Sequence, residues 1–149
     1  MSYPSIEQLL PHRAPMLWVD SVISHDGDDV HCRLTLRDSH VFVVNGEADP
    51  VVSIEWMAQT VGALVGLFDR SRDEPPRPGY LIAVPEATFL VDVFHVGDVL
   101  DLRAHRAWGD DTLASFEAEV ERNGELVAKA QLSVYRRKLG RETDSKVFP

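Results

Sequence analysis

Residues 51–68 read VVSIEWMAQTVGALVGLF, and Glu55 is the only charged residue in this stretch. A helix that is apolar on nearly all sides belongs in a protein core. Asp49 followed by Pro50 favours a helix start, and the pattern predicts that the helix ends near Asp69. An ionised carboxylate in a core is strongly unfavourable unless it is paired. We therefore expect a buried central helix in which Glu55 is a candidate acid/base group.

The chain on both sides of this helix shows strand patterns. A short helix is expected at residues 5–10, where a serine can cap it and a proline stops it. Alternation of apolar and polar residues between turn residues is typical of half-buried strands. Six strands are predicted, at residues 16–25, 29–37, 79–94, 98–107, 112–122 and 125–136. Because one long helix can cover one face of a six-stranded antiparallel sheet, we expect a single α+β domain over 1–138 and a loose tail over 139–149.

Composition and charge narrow the class of function. The formal net charge of −9 argues against nucleic acid or an anionic membrane as the main partner. Cys32 is the single cysteine, which excludes an internal disulfide and a multi-cysteine metal site. The histidines do not have the spacing of metal ligands, so we expect neither a metal nor a cofactor. The basic cluster at 136–138 is interpreted as a solvated strand end, with a dock for an acidic partner as the alternative.

Localisation follows from two features of the sequence. The run 51–68 is long enough to span a bilayer, but Glu55 and Gln59 interrupt it, and we expect no membrane insertion. The N-terminal residues lack a basic segment followed by an apolar one, so we expect no secretory signal. We therefore predict a cytoplasmic protein.

Two motifs resemble those of one enzyme family. Residues 9–17, LLPHRAPML, and residues 54–59, IEWMAQ, are similar to the N-terminal and central-helix motifs of the hot-dog-fold 3-hydroxyacyl-(acyl carrier protein) dehydratases. The resemblance covers residues 5–137. It implies a hot-dog fold, in which a six-stranded antiparallel sheet wraps around one long central helix. The chain looks most like a divergent aryl-polyene-type subgroup that lacks the family's Gly-His-Phe-Pro motif.

The resemblance also implies a reaction and a site. Such enzymes dehydrate a 3-hydroxyacyl thioester to the trans-2-enoyl thioester in fatty-acid or polyene-type biosynthesis. Their dimers place a histidine of one chain opposite the helix glutamate of the other, and Glu55 matches that glutamate. Gln59, one turn further on, can orient the Glu55 carboxylate by a hydrogen bond. His12 matches a position that is structural in the family.

Two departures from the family pattern concern the remaining groups of the site. Without Gly-His-Phe-Pro, His40 is the candidate catalytic histidine, and a partly exposed loop histidine is the alternative. Pro50 stands where the family has a glycine whose N–H binds the thioester oxygen, and proline has no N–H. The candidate donors are then the first-turn N–H groups of Val51 and Val52.

Three functions are compatible with these residues. The first is a dehydratase that uses Glu55 and His40 on an acyl carrier protein or CoA thioester. The second is a non-catalytic acyl-thioester-binding or partner subunit of a hot-dog complex. The third is an acyl-CoA thioesterase, in which Glu55 activates water. The resemblance implies a homodimer or higher homo-oligomer, with a heterodimer with another hot-dog subunit as the alternative.

Overall fold

The computed structural model describes residues 2–138, so the predicted tail at 139–149 lies outside the described residues. Helix α1 spans Ile6–Leu9, and helix α2 spans Ser53–Ser71 after a 3-10 turn at Pro50–Val52. The strands are β1 (Ser21–Asp26), β2 (Asp29–Thr35), β3 (Glu47–Ala48), β4 (Gly79–Phe89), β5 (Phe94–His95), β6 (Val99–Gly109), β7 (Leu113–Arg122) and β8 (Glu125–Arg136).

Six of these strands form one antiparallel sheet in the order β1-β2-β6-β7-β8-β4, while β3 and β5 pair separately. Helix α2 packs against one face of this sheet, and the fully buried side chains between them form the core. Side chains at 0–1% exposure include Trp56, Met57, Val61 and Leu64 on the helix and Leu34, Leu102, Val120 and Leu132 on the sheet. The predicted α+β architecture, a six-stranded antiparallel sheet with one long central helix, is confirmed.

The helix start follows the predicted signal. The Asp49 carboxylate accepts a hydrogen bond from the Val51 N–H at 2.9 Å, and Pro50 occupies the first position of the 3-10 turn. Proline is suited to that position because its missing N–H would be unpaired there in any case. The side chain of Ser53 donates to the Pro50 carbonyl at 2.6 Å, which ties the turn to the first residue of α2.

Two strand predictions need correction. The predicted strand at 16–25 is regular only from Ser21. The predicted strand at 79–94 is divided, because β4 ends at Phe89 and β5 pairs with β3 instead. The bend predicted at Pro85 is confirmed, since the register with β8 shifts between Ala83 and Glu86. A proline cannot donate to the ladder and is therefore found on edge strands or at bulges.

The N-terminal segment lies directly on α2. A Cβ on Gly62 would come within 2.6 Å of Leu10 Cδ2, and one on Gly66 would come within 2.6 Å of the Leu9 carbonyl oxygen. Leu9 and Leu10 are each 2% exposed. Because the Gly66 contact is with backbone, only glycine at that position allows the end of α1 to lie this close to α2, whereas the Gly62 contact is with the end of a leucine side chain.

The stretch Pro50–Ser71 has the length and apolar composition of a membrane span, and half of its most apolar window is buried inside the chain. That burial is typical of a core helix.

Cys32 is 0% exposed, and burial raises the pKa of its thiol to about 12, in keeping with the packing role expected for it.

The basic cluster at 136–138 is not a uniform surface patch. The Arg136 guanidinium is buried and forms two hydrogen bonds of 2.9 Å with the carboxylate of Asp69, which is 1% exposed. The prediction of a solvated strand end, and its alternative of a dock for an acidic partner, are therefore both wrong for Arg136. The spacing of strand residues does not reveal that the end of α2 places an acid opposite this position.

Candidate functional site

Glu55 lies in the first turn of α2, and 35% of its side chain is exposed. The expectation of a fully buried carboxylate is therefore wrong for the single chain. The reason is that one face of the helix is only partly covered: Ile54, Ala58 and Val65 on the same stripe are also half-buried, and Val51 is 55% exposed. The sequence run is apolar all round, but this chain covers only part of it.

Gln59 connects Glu55 to the N-terminal segment. Its Nε2 donates to Glu55 Oε1 at 2.9 Å and to the Met16 carbonyl at 2.7 Å, while its Oε1 accepts from the Trp18 N–H at 2.9 Å. The side chain is 1% exposed. The hydrogen bond predicted between Gln59 and Glu55 is present, and the same amide explains why residues 16–20 are fixed without joining the sheet.

His12, which is not among the predicted site residues, lies beside Glu55. Its Nε2 lies 3.6 Å from Glu55 Oε1, and 35% of its side chain is exposed. The family resemblance implies a structural role for the Leu-Leu-Pro-His-Arg segment that contains it. The signal that could have located it is the pair Gly62 and Gly66 on α2, which permits close packing of the two leucines that precede His12.

His40 lies elsewhere in the chain. Its ring stacks on Trp18 with 4.6 Å between centroids, and its Nδ1 accepts from the Arg37 N–H at 3.0 Å. Burial, together with the nearby Arg37 guanidinium, lowers the pKa of His40. Within residues 2–138, Glu55 has polar contacts with His12 and Gln59 and none with His40. Pairing of His40 with Glu55 of a neighbouring chain stays a prediction.

The two candidate backbone donors are both engaged. The Val51 N–H donates to the Asp49 carboxylate at 2.9 Å, and the Val52 N–H donates to the Asp49 carbonyl at 3.0 Å. Binding of a thioester oxygen by either group would require that hydrogen bond to be released. Their substrate-binding role stays a prediction.

A cavity of about 610 Å³ lies on the outer face of the sheet, away from Glu55. Its charged lining includes Arg103, Glu119 and Lys129. Burial and the neighbouring Glu121 carboxylate raise the pKa of Glu119.

No group of three or more histidine, cysteine, aspartate or glutamate side chains in the described part of the chain is arranged to hold a metal ion.

Replacing Gln59 by leucine should lower the free energy of unfolding by about 2 kcal/mol or more, because each buried polar group left unsatisfied costs about 1–3 kcal/mol. The backbone groups that lose this partner are the Trp18 and Val19 N–H groups and the Met16 carbonyl. Urea denaturation measures the change. Gln8→Leu is the control, since Gln8 is exposed and accepts one exposed 3.0 Å hydrogen bond from the Ser5 N–H, so stability should change by about 1 kcal/mol or less. Equal midpoints for the two variants would contradict the role given to Gln59.

Comparison with known proteins gives one consistent family. A family model described as ApeP-like, ApeP dehydratase, matches residues 4–145. A 3-hydroxyacyl-[acyl-carrier-protein] dehydratase FabZ of Rhizobium johnstonii is 32% identical over 136 residues, covering 85% of this chain and 83% of the relative. The FabZ of a Methylobacterium strain is 29% identical over 133 residues, covering 85% and 80% respectively.

Solved structures agree with these relatives. The dehydratase heterocomplex ApeI:P from Xenorhabdus doucetiae matches with a TM-score of 0.86 and 29% identity, over 93% of this chain and 94% of that chain. A hypothetical thioesterase from Streptococcus pneumoniae, solved with coenzyme A, matches with a TM-score of 0.61 and 13% identity over 78% and 84%. At that identity the second match shows the fold alone.

Proposed function

The chain belongs to the ApeP-like dehydratase family, and on that premise we propose that it removes water from a 3-hydroxyacyl thioester carried on acyl carrier protein. The observation that carries the proposal is the carboxylate of Glu55. It lies in the first turn of α2, it is accessible, and a buried amide holds it at 2.9 Å. The product is the trans-2-enoyl thioester, an intermediate of fatty-acid or polyene-type biosynthesis.

The chemistry needs one proton acceptor and one proton donor. A base removes the proton next to the thioester carbonyl, and an acid protonates the hydroxyl that leaves from the neighbouring carbon. A carboxylate can serve in either role, and Gln59 holds one of its oxygens so that the other is available to substrate. Among residues 2–138, both polar partners of the carboxylate meet Oε1, and Oε2 has no hydrogen bond.

Two surfaces of this chain support association with a second hot-dog chain. The half-buried stripe of α2 that contains Glu55 is apolar, and the sheet edge formed by β4 pairs on one side only. Tyr80, Leu81 and Ile82 on that edge are 49%, 41% and 57% exposed. Unpaired edges with apolar side chains favour association with another strand. We propose that a second hot-dog chain, identical or related, covers both surfaces and completes the substrate tunnel.

The test is product identification. A 3-hydroxyacyl thioester on acyl carrier protein, and the same acyl group on CoA, are incubated with the purified chain. Enoyl thioester without free thiol supports the dehydratase, whereas free thiol without enoyl product supports the thioesterase. A chain that forms a stable complex with a second hot-dog subunit, and in that complex leaves both substrates unchanged, supports the non-catalytic partner role and overturns the proposal.

Ile82→Lys should prevent assembly, because a charge on an edge strand opposes pairing with another strand. Light scattering after size-exclusion chromatography should show a mass reduced to that of one chain. The control is Val99→Lys, which places the same charge at a 47% exposed position on β6, a strand that is paired on both sides. An assembly that survives in the Ile82 variant would argue against β4 as the contact.

A further inference from the structure

His12 lies against the carboxylate of Glu55 in the same chain. The two side chains have equal exposure, 35% each, and His12 Nε2 is 3.6 Å from Glu55 Oε1. That distance is too long for a hydrogen bond between them. The two groups therefore face one another closely while both stay accessible to a small molecule, which is the arrangement required of two groups acting on neighbouring atoms of one substrate.

Hydrogen bonds from the Arg13 side chain to main-chain carbonyls, and not a bond to the Glu55 carboxylate, hold the backbone of His12 in place. Arg13 Nη1 donates to the Leu10 carbonyl at 2.9 Å and to the His12 carbonyl at 2.6 Å, and Nη2 donates to the Glu7 carbonyl at 3.1 Å. Leu10 is buried against Gly62 of α2. The segment is thus fixed on the helix that carries Glu55, so the backbone of His12 is held beside that carboxylate before any substrate binds.

Only one ring nitrogen of His12 is available for chemistry. Nδ1 is buried and has no hydrogen-bond partner among residues 2–138. Nε2 faces Glu55. His40, the other candidate, has its ring stacked on Trp18 and its Nδ1 occupied by the Arg37 N–H. His12 is therefore the imidazole that this chain itself presents to the carboxylate.

We propose that His12 is the second acid/base residue of the reaction and acts in the same chain as Glu55, an inference that rests on the proposed dehydratase function. It would take the place of the histidine that the family draws from a neighbouring chain through Gly-His-Phe-Pro. Each chain then carries a complete acid/base pair, and a partner subunit is needed to shape the tunnel but not to supply the imidazole.

His12 and Glu55 together can supply and accept the protons that the dehydration requires. His12 Nε2 takes the proton from carbon 2, and the electrons of that C–H bond form the double bond to carbon 3. The C–O bond at carbon 3 breaks, and the hydroxide leaves as water with the proton of the Glu55 carboxyl group. The proton on Nε2 then returns to the Glu55 carboxylate through the water that has formed, which restores the starting state.

The experiment compares four proteins in their native assembly: wild type, His12→Ala, Glu55→Gln and His105→Gln. His105, on β6, is paired with Asp29 and serves as the matched histidine control. General acid/base groups typically contribute about 100-fold or more to rate, so His12→Ala should lower kcat by about 100-fold with little change in KM. Added imidazole should restore at least about tenfold, because a tunnel that admits the acyl thioester also admits imidazole, which is the missing group.

Each outcome decides the proposal. Imidazole rescue of His12→Ala, with His105→Gln unchanged, supports a catalytic His12. Loss of turnover without rescue makes His12 structural and overturns the proposal. Normal turnover by His12→Ala with an inactive Glu55→Gln also overturns it and leaves the dehydratase function in place. No enoyl product from the wild-type assembly overturns the dehydratase function, and the role of His12 with it.

Discussion

Glu55→Gln should lower kcat for dehydration by about 100- to 10,000-fold, the range that general acid/base groups contribute. Glutamine has the same shape and keeps an oxygen that can accept the 2.9 Å hydrogen bond from Gln59 Nε2, so the fold around the site should be unchanged. What it removes is the ability to gain and lose a proton. The loss should therefore appear in kcat and only weakly in KM.

The control for this variant is Glu125→Gln, which removes one negative charge at an exposed position at the start of β8. Its turnover should equal that of the wild type. Both variants should unfold at the same urea concentration as the wild type. Turnover of Glu55→Gln within about threefold of the wild type would rule out an acid/base role for this carboxylate, since acid/base groups contribute at least about 100-fold.

The local patterns of the chain were sufficient to predict its architecture. The apolar run at 51–68 fixes one core helix, and period-two alternation at 29–37, 98–107 and 112–122 corresponds closely to β2, β6 and β7. One error falls at 90–93, which separate β4 from β5. The other falls at 16–20, where the Gln59 amide binds the backbone groups of Met16 and Trp18. A hydrogen bond between residues about 40 positions apart has no signature in a local pattern.

The candidate site was predictable only in part, for the same reason. Glu55 and Gln59 are four residues apart on one helix, so helical geometry alone brings them together. His12 reaches Glu55 because the segment after α1 lies on Gly62 and Gly66, and that contact depends on tertiary packing. The run 51–68 does not reveal the exposure of Glu55, because it is apolar on nearly all sides while this chain covers only part of it.

Asp69→Ala should lower the free energy of unfolding by about 3–5 kcal/mol, the cost of leaving one partner of a buried ion pair uncompensated. Asp69 is 1% exposed and accepts two 2.9 Å hydrogen bonds from Arg136, whose side chain is 5% exposed. Arg77 Nη2 also lies 4.0 Å from Asp69. Removing this acid leaves the buried Arg136 guanidinium without its counter-ion between α2 and β8, so these two elements should separate more easily.

Urea denaturation of Asp69→Ala, Arg136→Met and Arg103→Ala measures this effect, with equal slopes required for a direct comparison of midpoints. Arg103 is 45% exposed and lies 3.7 Å from Glu121, so its loss should change stability by no more than about 1 kcal/mol. Asp69→Leu combined with Arg136→Met should recover most of the loss, because replacing a whole buried pair by apolar residues is often neutral or stabilising. If the double variant is as unstable as Asp69→Ala, then packing at this position, and not an unpaired charge, determines the loss.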